Sequence, residues 1–67
     1  MIPAASCERV LRKAGSERVS KEAVDEFSRV LEEVAMEMSA EAATLAKHAG
    51  RKTITDADIR LARKKLQ

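Results

Sequence analysis

The side chains that carry most enzyme chemistry are scarce in this chain. It has 67 residues with one histidine, His48, one cysteine, Cys7, and neither tyrosine nor tryptophan. His48 and Cys7 have no spacing relation to a third partner. A metal site needs at least three ligands, and no Cys/His cluster supplies them. No glycine-rich phosphate loop is present. Glu32-Glu33 and Asp56/Asp58 are carboxylate pairs, which a solvated helix face and a helix start account for. No enzymatic role is expected, and no cofactor or metal. Cys7 reads as a small core hydrophobe. Being single, it forms no internal bridge, which fits a reducing interior.

Charge is plentiful instead. Lys and Arg number 13 against 11 Asp and Glu, a net charge of +2. That balance hides segregation, with +2 over residues 1–19, −5 over 20–46 and +5 over 47–67. Arg9, Arg12 and Lys13 cluster near the N-terminus, Arg18 follows, and Arg51 and Lys52 stand further on. Grouped cations of this kind suit phosphates. Phe27 is the one aromatic, so base-stacking platforms for single strands are missing. Asparagine is absent, and Gln67 is the one side-chain amide for contacts to bases. The expectation is duplex binding through phosphates and shape rather than sequence.

Three helices position these groups. The first runs from about Ala4 to Ala14. Pro3 suits its start, Gly15 ends it, and Cys7, Val10, Leu11 and Ala14 share one face. The second is capped by Ser20, with Glu22 in its first turn, and continues to Gly50. Its apolar stripe is Val24, Phe27, Leu31, Val34, Met38, Ala42, Leu45 and Ala49, spaced by threes and fours, with Ala23, Val30, Ala35 and Ala46 widening it. At ~1.5 Å per residue this helix is about 40 Å long. The third starts at Thr55 as N-cap, with Asp58 at capping-box spacing, and Ile59, Leu61, Ala62 and Leu66 form its apolar side. Met36 and Met38 read as core or helix-face fillers.

Two short helices cannot cover a broad stripe on so long a third one. A three-helix monomer of this size also has little stability left after chain entropy is subtracted. A second copy solves both problems, and an obligate homodimer is expected. If the dimer is antiparallel, the first loop of one chain meets the second loop of the other, and the loop cations join into a basic track. Helix N-termini at Ser20 and Thr55 add backbone N–H groups for phosphate.

The run His48-Ala49-Gly50-Arg51-Lys52-Thr53-Ile54, with Asp58-Ile59, resembles the end of the long helix, the second loop and the third helix of histones. Lys13-Ala14-Gly15-Ser16-Glu17-Arg18-Val19-Ser20 is similar to the first loop of archaeal histones. The resemblance covers nearly the whole chain. The absence of tails points to the archaeal form over the eukaryotic core histones.

The resemblance implies an all-α histone fold of short, long and short helices, one domain over 1–67, forming an intertwined handshake homodimer. It implies double-stranded DNA as partner, wrapped and compacted, with dimers joining into larger assemblies and another histone as a possible heterodimer partner. Arg18 would enter the minor groove, oriented by Thr53 of the partner. Lys52 and the Thr53 backbone would hold phosphates, and Arg9 with Arg12 a phosphate at the dimer centre. Arg51 and Asp58 match an intrachain salt bridge that pins the second loop. Leu45, His48 and Asp58 match the surface where one dimer meets the next, His48 bonding Asp58 of its neighbour. Gly15 would allow close stacking of turns.

Some positions depart from the usual pattern. Thr55 stands where lysine is common, Glu8 sits beside Arg9 where it weakens phosphate binding, and Arg60 replaces a frequent acid so as to repel Arg29 on an opposing turn. The charges of Arg60, Arg63, Lys64 and Lys65 have no assigned role. No signal peptide, lipidation motif or apolar run of ~18 residues is visible. A cytoplasmic location on the chromosome is expected, with no membrane partner. The rival readings are a histone-fold dimerisation subunit of a transcription complex and a bacterial-type histone that coats DNA without wrapping it.

Overall fold

A computed structural model describes residues 2–15 and 17–66. Ser16 of the first-loop run and the Gln67 amide lie outside the described residues, as does Met1. The described residues form three helices, α1 (Ala4–Lys13), α2 (Lys21–His48) and α3 (Asp56–Leu66). Their boundaries agree with the sequence-based helices to within a residue or two, because the termini are chemically marked.

Pro3 takes the N-cap position of α1, and its carbonyl accepts the Cys7 N–H at 3.2 Å. Ser20 Oγ accepts the Ala23 N–H at 3.0 Å, satisfying one of the donors that a helix start leaves open. Thr55 and Asp58 cap α3 reciprocally. The Thr55 N–H donates to Asp58 Oδ2 at 2.9 Å, and the Asp58 N–H donates to Thr55 Oγ1 at 3.4 Å. Asp therefore fills the return half of the box, where Glu is usual.

At the end of α2 the Gly50 N–H donates to the Lys47 carbonyl and the Arg51 N–H to the Ala46 carbonyl, each at 2.9 Å. This is the paired-bond C-terminal cap, and Gly50 takes the φ of +73° that it requires. Gly15 has φ +112° after α1, a region that L side chains avoid.

The chain packs as two compact units, Met1–Glu33 and Val34–Gln67. In the first, Cys7 and Val24 are buried, and Ser28 Oγ donates to the Ile2 carbonyl at 3.0 Å, tying the start of the chain to α2. In the second, Ala42, Ala46 and Ala62 are buried together with the Asp58 carboxylate, and Lys65 pairs with Glu41 at 2.7 Å.

These buried side chains are small. Val10, Val30, Val34, Met36, Ile54, Ile59, Leu61 and Leu66 are all exposed in the single chain. Of these, Val30 and Val34 lie on the α2 stripe read from the sequence. Of the two methionines grouped as fillers, Met38 is half-buried, whereas Met36 is 68% exposed.

Candidate nucleic-acid interface

The α1 cations are not equivalent. Arg9 and Lys13 are exposed and make no hydrogen bond or ion pair among the described residues. Arg12 is engaged. Its Nε lies 3.7 Å from Glu8 Oε2, and Nη1 donates to the Glu17 carbonyl at 3.4 Å. Glu8 therefore pairs with the arginine one turn on, not with its sequence neighbour Arg9. The i, i+4 spacing carries that signal, and adjacency in sequence misled, because successive residues on a helix point about 100° apart. Arg18 is exposed in the first loop.

The second loop is built on Arg51. Its Nη1 donates to Asp58 Oδ2 and its Nη2 to Asp58 Oδ1, both at 2.8 Å, in a two-point clamp. Nη1 also donates to the Thr53 carbonyl at 2.9 Å. One guanidinium thus holds the loop to itself and to the first turn of α3. The Thr53 carbonyl bond has no local signature in the sequence. Asp58 is only 5% exposed. Arg51 and the Thr55 N–H bond its charged form and hold its pKa well below the usual carboxylate range, against a smaller opposing effect of burial. Arg51 is pushed up in turn, chiefly by its hydrogen bonds to Asp58.

Arg51 is spent inside the chain, whereas Lys52 is exposed and makes no hydrogen bond or ion pair among the described residues. Thr53 is exposed beside it. A groove of about 280 Å³ opens there, lined by Ala43, Ala46, Lys47, Arg51, Lys52 and Ile54. His48 is exposed in the last turn of α2, and Leu45 is half-buried. Asp58 uses both carboxylate oxygens on Arg51 and one also on Thr55, so a free acceptor position remains on Oδ1.

The unassigned cations of α3 sort in the same way. Arg60 lies 3.2 Å from Asp56 and Lys65 2.7 Å from Glu41. Arg63 and Lys64 are exposed and have no hydrogen-bonding or ionic partner among the described residues. On α2, Arg29 bonds Glu26, and Glu33 at 3.2 Å. Its pKa is raised, first by the hydrogen bond to Glu26. Arg29 and Arg60 therefore each have an acidic neighbour on their own helix. Among the described residues no group of His, Cys, Asp and Glu is placed to hold a metal. No helix there is long and apolar enough to cross a membrane.

Residues 1–62 match the family described as histone-like transcription factor (CBF/NF-Y) and archaeal histone. The chain belongs to this family. Its short, long and short helices are thus those of the histone fold. Two relatives sharpen the placement. An archaeal histone of Thermococcus zilligii, a subunit of HAN1, is 48% identical over 61 residues, 91% of each chain. Probable archaeal histone 3 of Methanocaldococcus jannaschii is 46% identical over 61 residues, again 91% of each chain. Membership of a histone family sets an enzymatic role aside.

Proposed function

We propose that this chain is a DNA-binding histone, one histone-fold domain over 1–67, acting as a handshake homodimer on duplex DNA. The observation that carries the reading is the second loop. Arg51 is consumed by Asp58 and Thr53, and this brace presents Lys52, exposed and unpaired among the described residues, on a chain of the histone family. A preordered loop with an outward cation fits phosphates, which contribute most of the affinity in sequence-independent binding.

The exposed apolar residues Val30 and Val34 on α2 support a second copy as the cover of the long helix. In that dimer the first loop of one chain meets the second loop of the other. Arg18 enters the minor groove, and Thr53 of the partner orients it. Lys52 and the Thr53 backbone take phosphates. Arg9 takes the central phosphate with less help from Arg12, which Glu8 and the Glu17 carbonyl hold. Dimers join through Leu45, His48 and Asp58, His48 of one dimer bonding Asp58 of its neighbour. Gly15 lets successive turns stack. Its backbone conformation already requires glycine, and a Cβ there would meet nothing within 4 Å in its own chain. We place the protein in the cytoplasm, on the chromosome.

Nuclease digestion of complexes reconstituted on duplex DNA tests this reading. A regular ladder of protected lengths is expected from joining dimers. His48→Ala should keep the dimer and shorten the protected fragments. Absence of any protection would refute the DNA-binding reading, and unchanged fragments in the variant would remove His48 from assembly.

A further inference from the structure

The cations of α1 fall into two rows. Glu8 and Arg12 make one, 3.7 Å apart, and Arg12 also donates to the Glu17 carbonyl at 3.4 Å. Ala5, Arg9 and Lys13 make the other, each four positions from the next, all exposed and with no acid among them. Neither Arg9 nor Lys13 has a hydrogen-bonding or ionic partner among the described residues. The proposed interface gives Arg9 a phosphate and leaves Lys13 without a role.

The direction of this row follows from helix geometry as well as from exposure. Each residue turns a helix by about 100°, so a side chain two positions on points about 160° away. Arg9 lies two positions from the fully buried Cys7, and Lys13 two positions from the half-buried Leu11. Thus α1 packs by its Cys7 and Leu11 side and turns Arg9 and Lys13 together to the opposite one. Whatever Arg9 faces in the dimer, Lys13 faces too.

We infer that Lys13, not Arg12, is the second phosphate ligand of α1, forming with Arg9 a two-cation site for the duplex backbone. The inference rests on the DNA-binding reading, in which Arg9 meets phosphate. Four residues advance a helix by ~6 Å, and phosphates of one strand follow each other every ~3.4 Å of duplex axis, so the two cations reach separate phosphates. The lysine ammonium is a compact charge on a flexible stem and needs no fixed angle of approach. In chain order Lys13 stands between Arg9 and Arg18, and so continues the basic track from α1 toward the first loop. Arg12 has to give up Glu8 to meet a phosphate, whereas Lys13 gives up only water.

Fluorescence anisotropy on one labelled duplex, from about 50 to 200 mM salt, tests the assignment. Lys13→Gln removes one charge per chain and two per dimer. The slope of log K against log salt should become shallower by about 1.8, so over that range wild type should lose about twelvefold more affinity than the variant. Lys13→Arg should keep the wild-type slope. Arg12→Gln should change it by less than Lys13→Gln does, since Glu8 already neutralises Arg12 in part. Lys13 also stands in the last turn of α1, where a cation favours the helix end. A purely structural role would therefore lower the unfolding midpoint and leave the slope alone. An unchanged slope for Lys13→Gln overturns the inference, whether or not stability falls. So does a larger change for Arg12→Gln. In both cases the DNA-binding reading stands if wild type binds the duplex in the same titration, and wild type that binds no duplex removes both.

Discussion

Lys52 offers the cleanest perturbation of the DNA interface. It is exposed in the second loop, and no described residue neutralises it. Lys52→Ala therefore removes one whole cation per chain, two per dimer, without releasing a buried partner. Each phosphate neutralised contributes about 0.9 to the slope of log K against log salt, so the slope should become shallower by about 1.8. Between 50 and 200 mM salt, wild type should then lose about twelvefold more affinity than the variant. Fluorescence anisotropy on one labelled duplex across four or five salt concentrations measures both slopes. Arg12→Ala is the internal control. Glu8 already lies 3.7 Å from Arg12, and an exposed pair of this kind is partly neutral before DNA arrives. Its effect on the slope should be smaller than that of Lys52→Ala. Equal slopes for wild type and Lys52→Ala would refute the assignment of Lys52 to phosphate. A larger change for Arg12→Ala would show that Glu8 releases the arginine when DNA binds.

Three further outcomes are expected. Arg18→Ala should weaken binding broadly across unrelated duplexes, and unchanged binding at ~0.2 M salt would end its groove-insertion role. Asp58 is held below the usual carboxylate range, so its contribution to stability is fully present above about pH 4 and is lost as pH falls further through its folded value. The stability gap between wild type and Asp58→Asn, from denaturant unfolding, should stay level from pH 8 to 5 and narrow only below about pH 4; a gap that closes between pH 7 and 5 would contradict the Arg51 clamp. Ser20→Ala removes the side-chain acceptor of the Ala23 N–H and should lower stability by ~1 kcal/mol, while Ser20→Gly should lower it by only a few tenths.

The helices were legible because their ends carry local chemistry. Ser20 and Thr55 cap by bonds to residues three positions away, and Gly50 stops α2 through a backbone conformation few other residues adopt. A signal confined to a few neighbouring residues survives in sequence. The apolar stripe was legible as a pattern but not as a core. Val24, Ala42 and Ala46 lie on it and are buried, whereas Val30 and Val34 lie on it and are exposed. The Ser28 bond to the Ile2 carbonyl and the Lys65 pair with Glu41 join residues distant in sequence, and no spacing rule reaches them.

Charge counting failed for a related reason. Net charge treats every cation alike, but a phosphate meets only those that the fold has not already spent. Arg51 is withdrawn by the buried Asp58 and Lys65 is paired with the half-buried Glu41, whereas Arg60 with Asp56, and Arg29 with Glu26 and Glu33, form exposed pairs that withdraw them only in part. Arg12 is partly withdrawn by Glu8. Of the cations proposed for DNA, Arg9 and Lys52 are exposed and unpaired among the described residues. The acidic residues thus act through the cations beside them. Within α1 and α3 they decide which basic residues face solvent uncompensated. An exposed acid one helical turn from a cation therefore bears on DNA affinity without touching DNA.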